Sequence, residues 1–267
     1  MHYEADRGYL VVAVNSKTAD YIKCAETLAC SLKHWHPDAK ICLLTDQPYE
    51  NSLFDYVRLL PYPNSDLAWK LDNDWQIFYA SPFHETVKLE ADMLVAGPID
   101  YWWPLFRNKK VWISNNIRDH KNNISSTRRY RRIFDQNNLP DVYNAITYWR
   151  FSREAEQFFN KVRELFENWS TVQDTLKLGK NEILNTDLAY AIACELLGRE
   201  NFITPGVGPS MVHCKPAVLG TSCEDWSREL TWEIIDGTVR INGHTQHGLV
   251  HYHQKHLAEQ FGACYER

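Results

Sequence analysis

No two of the seven cysteines, at 24, 30, 42, 194, 214, 223 and 264, stand in a CxxC pair, and their number is odd. Several fall inside apolar segments, so they read as reduced thiols of a cytoplasmic protein rather than as a disulfide framework. No run approaches the ~18 apolar residues of a membrane span, and the opening "MHYEADRG" carries charge where a signal peptide needs an apolar stretch. Neither a membrane partner nor secretion is therefore expected. An excess of basic residues is also lacking: the net charge of -5 and the pI near 6.1 argue against broad electrostatic capture of nucleic acid, although a local basic patch still permits phosphate contacts. There is no internal repeat and no dividing linker. With 267 residues, 44% of them hydrophobic, the chain is long enough to bury a sizeable core as one domain spanning 1–267.

What is present has the rhythm of an α/β sheet. "YLVVAV" (Tyr9 to Val14) is a continuous apolar run rich in β-branched residues, suited to a strand covered on both faces. Asp20 then caps a helix marked by Ile22, Ala25, Leu28, Leu32 and Trp35, which Pro37 stops. "KICLLTD" (Lys40 to Asp46) is a second strand and "YVRLL" (Tyr56 to Leu60) a third. Helical spacing returns through Leu67, Leu71, Trp75 and Phe78. "TVKL" (Thr86 to Leu89) and "VWIS" (Val111 to Ser114) are further strands, and the polar stretch from Asn115 to Asp141 is expected as a mobile surface excursion. "AITYWRF" (Ala145 to Phe151) resumes the sheet. Helices follow over Ala155 to Trp169 and Asn185 to Leu197, then a hairpin turns at Asp236-Gly237. In such open sheets ligands sit at the carboxyl ends of the strands, which here carry Asn15, Ser16 and Asp46.

"LEADM" places Glu90 and Asp92 directly after the strand ending at Leu89. In extended chain, residues two apart point to one side, so these carboxylates converge. Held together they raise each other's pKa unless a cation lies between them, and Mn²⁺ or Mg²⁺ carrying substrate phosphates resolves that repulsion. A solvated turn explains the same spacing when it stands alone. "LVHYHQKH" near the carboxyl end puts His251 and His253 on one face of a strand, with Lys255 beyond.

The strand "VKL", the Glu90-Ala91-Asp92 triplet and the following "MLVAGPID" resemble the Asp-x-Asp region of nucleotide-sugar-dependent glycosyltransferases with the GT-A fold, in particular the retaining, glycogenin-like family of the family eight type. The resemblance extends over most of the chain, and Glu90 stands where that family usually has Asp. It implies a Rossmann-like, mixed but mostly parallel sheet flanked by helices, with 211–267 returning to the active site. It further implies that Asn15, Ser16 and Tyr21 in "AVNSKTADY" hold the base and ribose, and that Lys70 in "WKLDNDWQIF" faces the donor sugar. Asn144 and Ala145 in "YNAITYWRF" match the family's sugar-facing strand, with Ile146 in place of its glycine. Asp187 in "LNTDLAY" matches the acid that hydrogen-bonds the transferred sugar, with Leu188 in place of glutamine. Asp92 and His251 are the implied metal ligands, with Glu90 and His253 as further ligand candidates, and Lys255 would neutralise the leaving diphosphate. His213 and Lys215 in "VHCKPAVLG", with a proline turn, are candidates for a second late loop over the diphosphate.

The implied activity is Mn²⁺- or Mg²⁺-dependent transfer of a sugar from a nucleoside-diphosphate sugar, UDP favoured, to a hydroxyl with retention of configuration. Asp187, Asn144 and Lys70 would act on the sugar. The "STRRYRR" run, with Arg128, Arg129, Arg131 and Arg132, is either a solvated loop or a phosphate-contacting patch. Together with the compact cytoplasmic form, it also resembles bacteriophage enzymes that glycosylate hydroxymethylated cytosine in DNA. Two rivals remain: a phosphohydrolase with zinc gathered by His251, His253 and His256, and a sugar-nucleotide- or glycan-binding protein without turnover.

Overall fold

The structure is a computed structural model, and it describes residues 3–62, 74–115, 117–125, 131–204, 208–215, 218 and 229–265. Its centre is a six-stranded sheet built from β1 (Ala5–Val12), β2 (Ile41–Thr45), β3 (Tyr56–Leu59), β4 (Phe83–Glu90), β6 (Val111–Ser114) and β9 (Tyr143–Arg150). The order is β3-β2-β1-β4-β9-β6. All neighbours are parallel except β9, which runs antiparallel to both β4 and β6.

Side-chain alternation explains why this sheet is buried on both faces. Tyr9, Val11, Ile41 and Leu43 point into one hydrophobic cluster, while Leu10, Cys42 and Leu44 point into another. The first cluster is covered by α1 (Tyr21–Trp35) and the second by α5 (Arg153–Glu167) and α7 (Thr186–Leu197). Each long helix starts at a residue whose side chain satisfies an otherwise orphan backbone donor. Asp20 accepts from Lys23 N, Ser152 from Ala155 N and Asn185 from Leu188 N. Each such cap contributes about 1 kcal/mol.

A second, five-stranded sheet positions the site. Its order is β5-β14-β10-β7-β8, from β5 (Met93–Val95), β7 (Ile117–Arg118), β8 (Ile124–Ser125), β10 (Met211–His213) and β14 (Leu249–His251). A hairpin of β11 (Trp232–Ile235) and β12 (Thr238–Ile241), extended by β13 (His244–Thr245), forms a third sheet. Its turn residues Asp236 and Gly237 both have positive φ, 47° and 75°, as the Asp-Gly signal requires.

Several boundaries differ from the sequence-based expectation. β1 starts at Ala5 because it pairs along its full length with the long β4, and it stops at Val12, although Ala13 N still donates to Leu44 O. The helix expected over 67–80 survives as a short helical turn at Asp74–Gln76 followed by α2 (Ile77–Ala80), and its earlier half lies outside the described residues. The stretch expected as a mobile excursion is anchored where it is described. Ile117, Ile133, Phe134 and Leu139 are all buried, and α4 (Arg132–Gln136) packs within it. Among the described residues, no helix is long and apolar enough to cross a membrane. The six described cysteines are all free thiols.

Candidate active site

The register of the second sheet brings the acidic triplet and the tail together. β5 is antiparallel to β14, with Met93 opposite His251, and Tyr252 N donates to Asp92 O at 3.1 Å. Asp92 immediately precedes β5, so the ladder sets its side chain against the imidazole. His251 Nε2 lies 3.1 Å from Asp92 Oδ1 and 3.2 Å from Glu90 Oε2. Lys255 Nζ lies 2.8 Å from Asp92 Oδ2.

Burial alone raises the pKa of the Asp92 carboxyl, but His251, Lys255 and His253 overcome that and hold it well below the usual carboxylate range. Asp92 is thus an anion in an almost closed setting. For Lys255, burial acts downward and Asp92 more strongly upward, so its ammonium is stabilised. His253 is pushed well below the ordinary histidine value by burial and then by the neighbouring His251 and His213. Both effects favour the neutral imidazole, the form with a lone pair to give.

Glu90, Asp92 and His251 present one donor atom each, all within 4.8 Å of one another. Cis ligands of an octahedral ion bound at 2.0–2.1 Å stand about 3 Å apart, so the 3.1 and 3.2 Å separations suit a hard divalent ion on two carboxylates and an imidazole. The donor set therefore fits Mn²⁺ or Mg²⁺.

His253 reaches the site by a route different from simple alternation. β14 ends at His251, and His253 lies beyond it with φ of 60°, a left-handed turn that lays its ring 3.6 Å from that of His251. The third imidazole of the cluster is His213, delivered by β10, where it pairs with His251 in register. It is not His256, which is exposed and outside the cluster among the described residues.

The sugar-facing candidates form a neighbouring clamp. Asn144 N donates to Asp187 Oδ1 at 2.8 Å, and Lys88 Nζ donates to Asn144 O at 3.1 Å. Both backbone polar groups of Asn144 are therefore held by charged side chains, which fixes the start of β9 next to Ala145. Lys88 is fully buried on β4, and sequence inspection missed it because it lies inside the apolar "TVKL" run. Arg131 completes the clamp. Its guanidinium donates to Asp141 Oδ1 at 2.6 Å and to Val142 O at 2.8 Å, lies 3.5 Å from Asp187 Oδ2, and sits over the rings of Phe134 and Tyr143. Arg131 is therefore turned inward, which corrects both expectations for its run, the solvated loop and the phosphate-contacting patch, at this residue. Arg132 is exposed, whereas Arg128 and Arg129 lie outside the described residues, as does Lys70.

At the carboxyl ends of β1 and β2 a cleft of about 330 Å³ is lined by Asn15, Asp20, Thr45, Asp46 and Tyr49 among others. Asn15 Oδ1 accepts from Ile22 N, and Ser16 Oγ accepts from Ala19 N, so both side chains shape the loop that leads into α1. Tyr21, the first residue of α1, sets its ring 5.7 Å from Lys255 Nζ beside the acidic centre. Ala91 is buried between the two carboxylates of the triplet.

No family and no curated protein matches the sequence. The structure is similar to that of the galactosyltransferase LgtC in complex with donor and acceptor sugar analogues, with a TM-score of 0.53 and 12% identity over 97% of this chain and 95% of that one. An active-site mutant of LgtC gives 0.55 and 12%, over 96% and 94%. At this identity the likeness establishes the fold: a mixed α/β architecture of the GT-A kind, with sheets flanked by helices.

Proposed function

We propose that this protein is a metal-dependent glycosyltransferase that moves a sugar from a nucleoside-diphosphate sugar, UDP favoured, to a hydroxyl acceptor with retention. The observation that carries the reading is the meeting of Asp92, Glu90 and His251 with Lys255 beside them, in a fold shared with a galactosyltransferase whose structure holds donor and acceptor sugar analogues. Mn²⁺ or Mg²⁺ held by Asp92, His251 and Glu90 would supply positive charge to the donor's diphosphate.

The remaining roles belong to the chain's own groups. Asn15 lines the cleft, and with Ser16 beside it in the same loop and Tyr21 near Lys255 it would receive the base and ribose. Lys255 is a cation poised to pass from Asp92 to the diphosphate, where it stabilises charge as the glycosidic bond breaks. Asp187 holds Asn144 with one carboxylate oxygen, and its partly exposed side chain would orient the transferred sugar together with Asn144 and Lys70. The acceptor oxygen would attack on the face the diphosphate leaves. Burial of Arg131 weakens the case for DNA as acceptor, and the reading rests at a hydroxyl.

A thermal-shift panel of uridine, guanosine and cytidine sugar nucleotides, each with and without Mn²⁺, tests the proposal. Metal-dependent stabilisation by one donor, followed by release of its nucleoside diphosphate, supports transfer. A flat panel refutes it, and stabilisation without turnover on any hydroxyl acceptor favours a binding protein.

A further inference from the structure

The cluster described above contains more imidazole than an Asp-x-Asp-type metal centre uses. His213, His251 and His253 each offer a ring nitrogen, and these nitrogens lie within 4.8 Å of one another. His253 Nε2 and His213 Nδ1 are 3.3 Å apart. That is long for a hydrogen bond, and it equals the edge of about 3.3 Å between two nitrogens bound tetrahedrally to zinc at 2.0–2.1 Å. Among the ring nitrogens of the trio, His251 Nδ1 is buried without a hydrogen-bond partner. Native interiors leave few such groups unsatisfied, and a ligand is one of the usual reasons. The geometry is built by the fold: β10 and β14 are parallel neighbours with His213 opposite His251, and the left-handed turn at His253 folds the third ring back over them.

We propose that His213, His251 and His253 form a zinc site distinct in chemistry from the Glu90, Asp92 and His251 group. Three nitrogens suit a borderline-soft ion, whereas the two carboxylates suit Mn²⁺. His251 belongs to both groups. A neutral imidazole has a single lone pair, so His251 serves one cation at a time, and zinc bound here competes with manganese bound there. The competition rests on the function proposed above, while the zinc site itself does not.

The test uses the metal-free full chain. Zn²⁺ affinity is measured against a chromophoric chelator, and Co²⁺ is added as a spectroscopic substitute. The expected result is one Zn²⁺ per chain, a tetrahedral Co²⁺ absorption, and at least a tenfold loss of Zn²⁺ affinity in His213→Gln. Wild-type Zn²⁺ affinity in His213→Gln overturns the site. His253→Asn is the second variant, since asparagine tolerates the φ of 60° found there. It too must lose zinc, and retention of zinc counts against the site. Absence of a donor shift with Mn²⁺ in every protein refutes the glycosyltransferase reading and leaves the zinc titration to be judged by itself.

Discussion

Replacing Arg131 by methionine separates two accounts of a basic residue in a polar stretch. In the structure Arg131 is 8% exposed and donates to Asp141 Oδ1 and Val142 O, with Asp187 alongside. Methionine preserves much of the apolar stem over Phe134 and Tyr143 but leaves both carboxylates without the guanidinium. Removing one partner of a buried pair costs about 3–5 kcal/mol. The side chains of Asp141 and Asp187 are 17% and 32% exposed, so water recovers part of the loss, and about 2–4 kcal/mol is expected. For a chain of this size that corresponds to a fall in Tm of roughly 5–12 °C. Arg131→Lys should recover only part, because an ammonium cannot reproduce the planar fork between Asp141 and Val142. The assay is urea unfolding of the three proteins, checked by thermal melts. If Arg131→Met unfolds within about 0.5 kcal/mol of the wild type, as surface substitutions do, the inward placement is wrong. A surface residue meeting DNA would instead leave stability unchanged and reduce the salt slope of DNA binding by about one.

Asp92→Asn should abolish Mn²⁺-dependent donor stabilisation and turnover while the far-UV spectrum stays native, and full activity in that variant would remove the carboxylate from the metal site. Asp55 is the test case for acid sensitivity. Burial raises its pKa, but Lys40, Ile41 N and Lys33 lower it further, so its folded value lies below the unfolded one. Its contribution is therefore present above the unfolded pKa and lost as pH falls through the folded value. Asp55→Asn should cost about 1–2 kcal/mol at pH 7 and progressively less as the medium is acidified below about pH 4. An equal loss at pH 7 and pH 2.5, measured by urea unfolding, would contradict this. Gly237→Ala should destabilise the protein by about 1–2 kcal/mol, since φ is 75° there and an added Cβ would meet His34. An unchanged urea midpoint would refute the turn.

The sheet was legible because its strands carry their own pattern. Leu10, Leu43 and Val87 sit in short apolar runs that only a strand covered on both faces explains, and Asp20 and Asn185 announce the helices they cap. The triplet and His251 were legible because charge beside an apolar run is costly unless it has a use. Lys88 was not, because it is a single polar residue inside a strand, and its importance comes from a neighbour far along the chain; His213 was singled out with its loop but not as the partner of His251. Arg131 was misjudged for the same reason. Its partner Asp187 and the rings beneath it become visible only when α4 and the start of β9 fold against α7. The apolar pair Ile133 and Phe134 directly after it was the available signal that this part of the stretch is anchored.

The ladder between β5 and β14 joins positions 159 apart in sequence through Asp92 and His251. During synthesis α1, α5, α7 and the whole central sheet can form while the imidazole is still unmade. A nascent chain would therefore hold the cleft at the ends of β1 and β2 in nearly finished form, yet lack the completed acidic centre until the late strand docks.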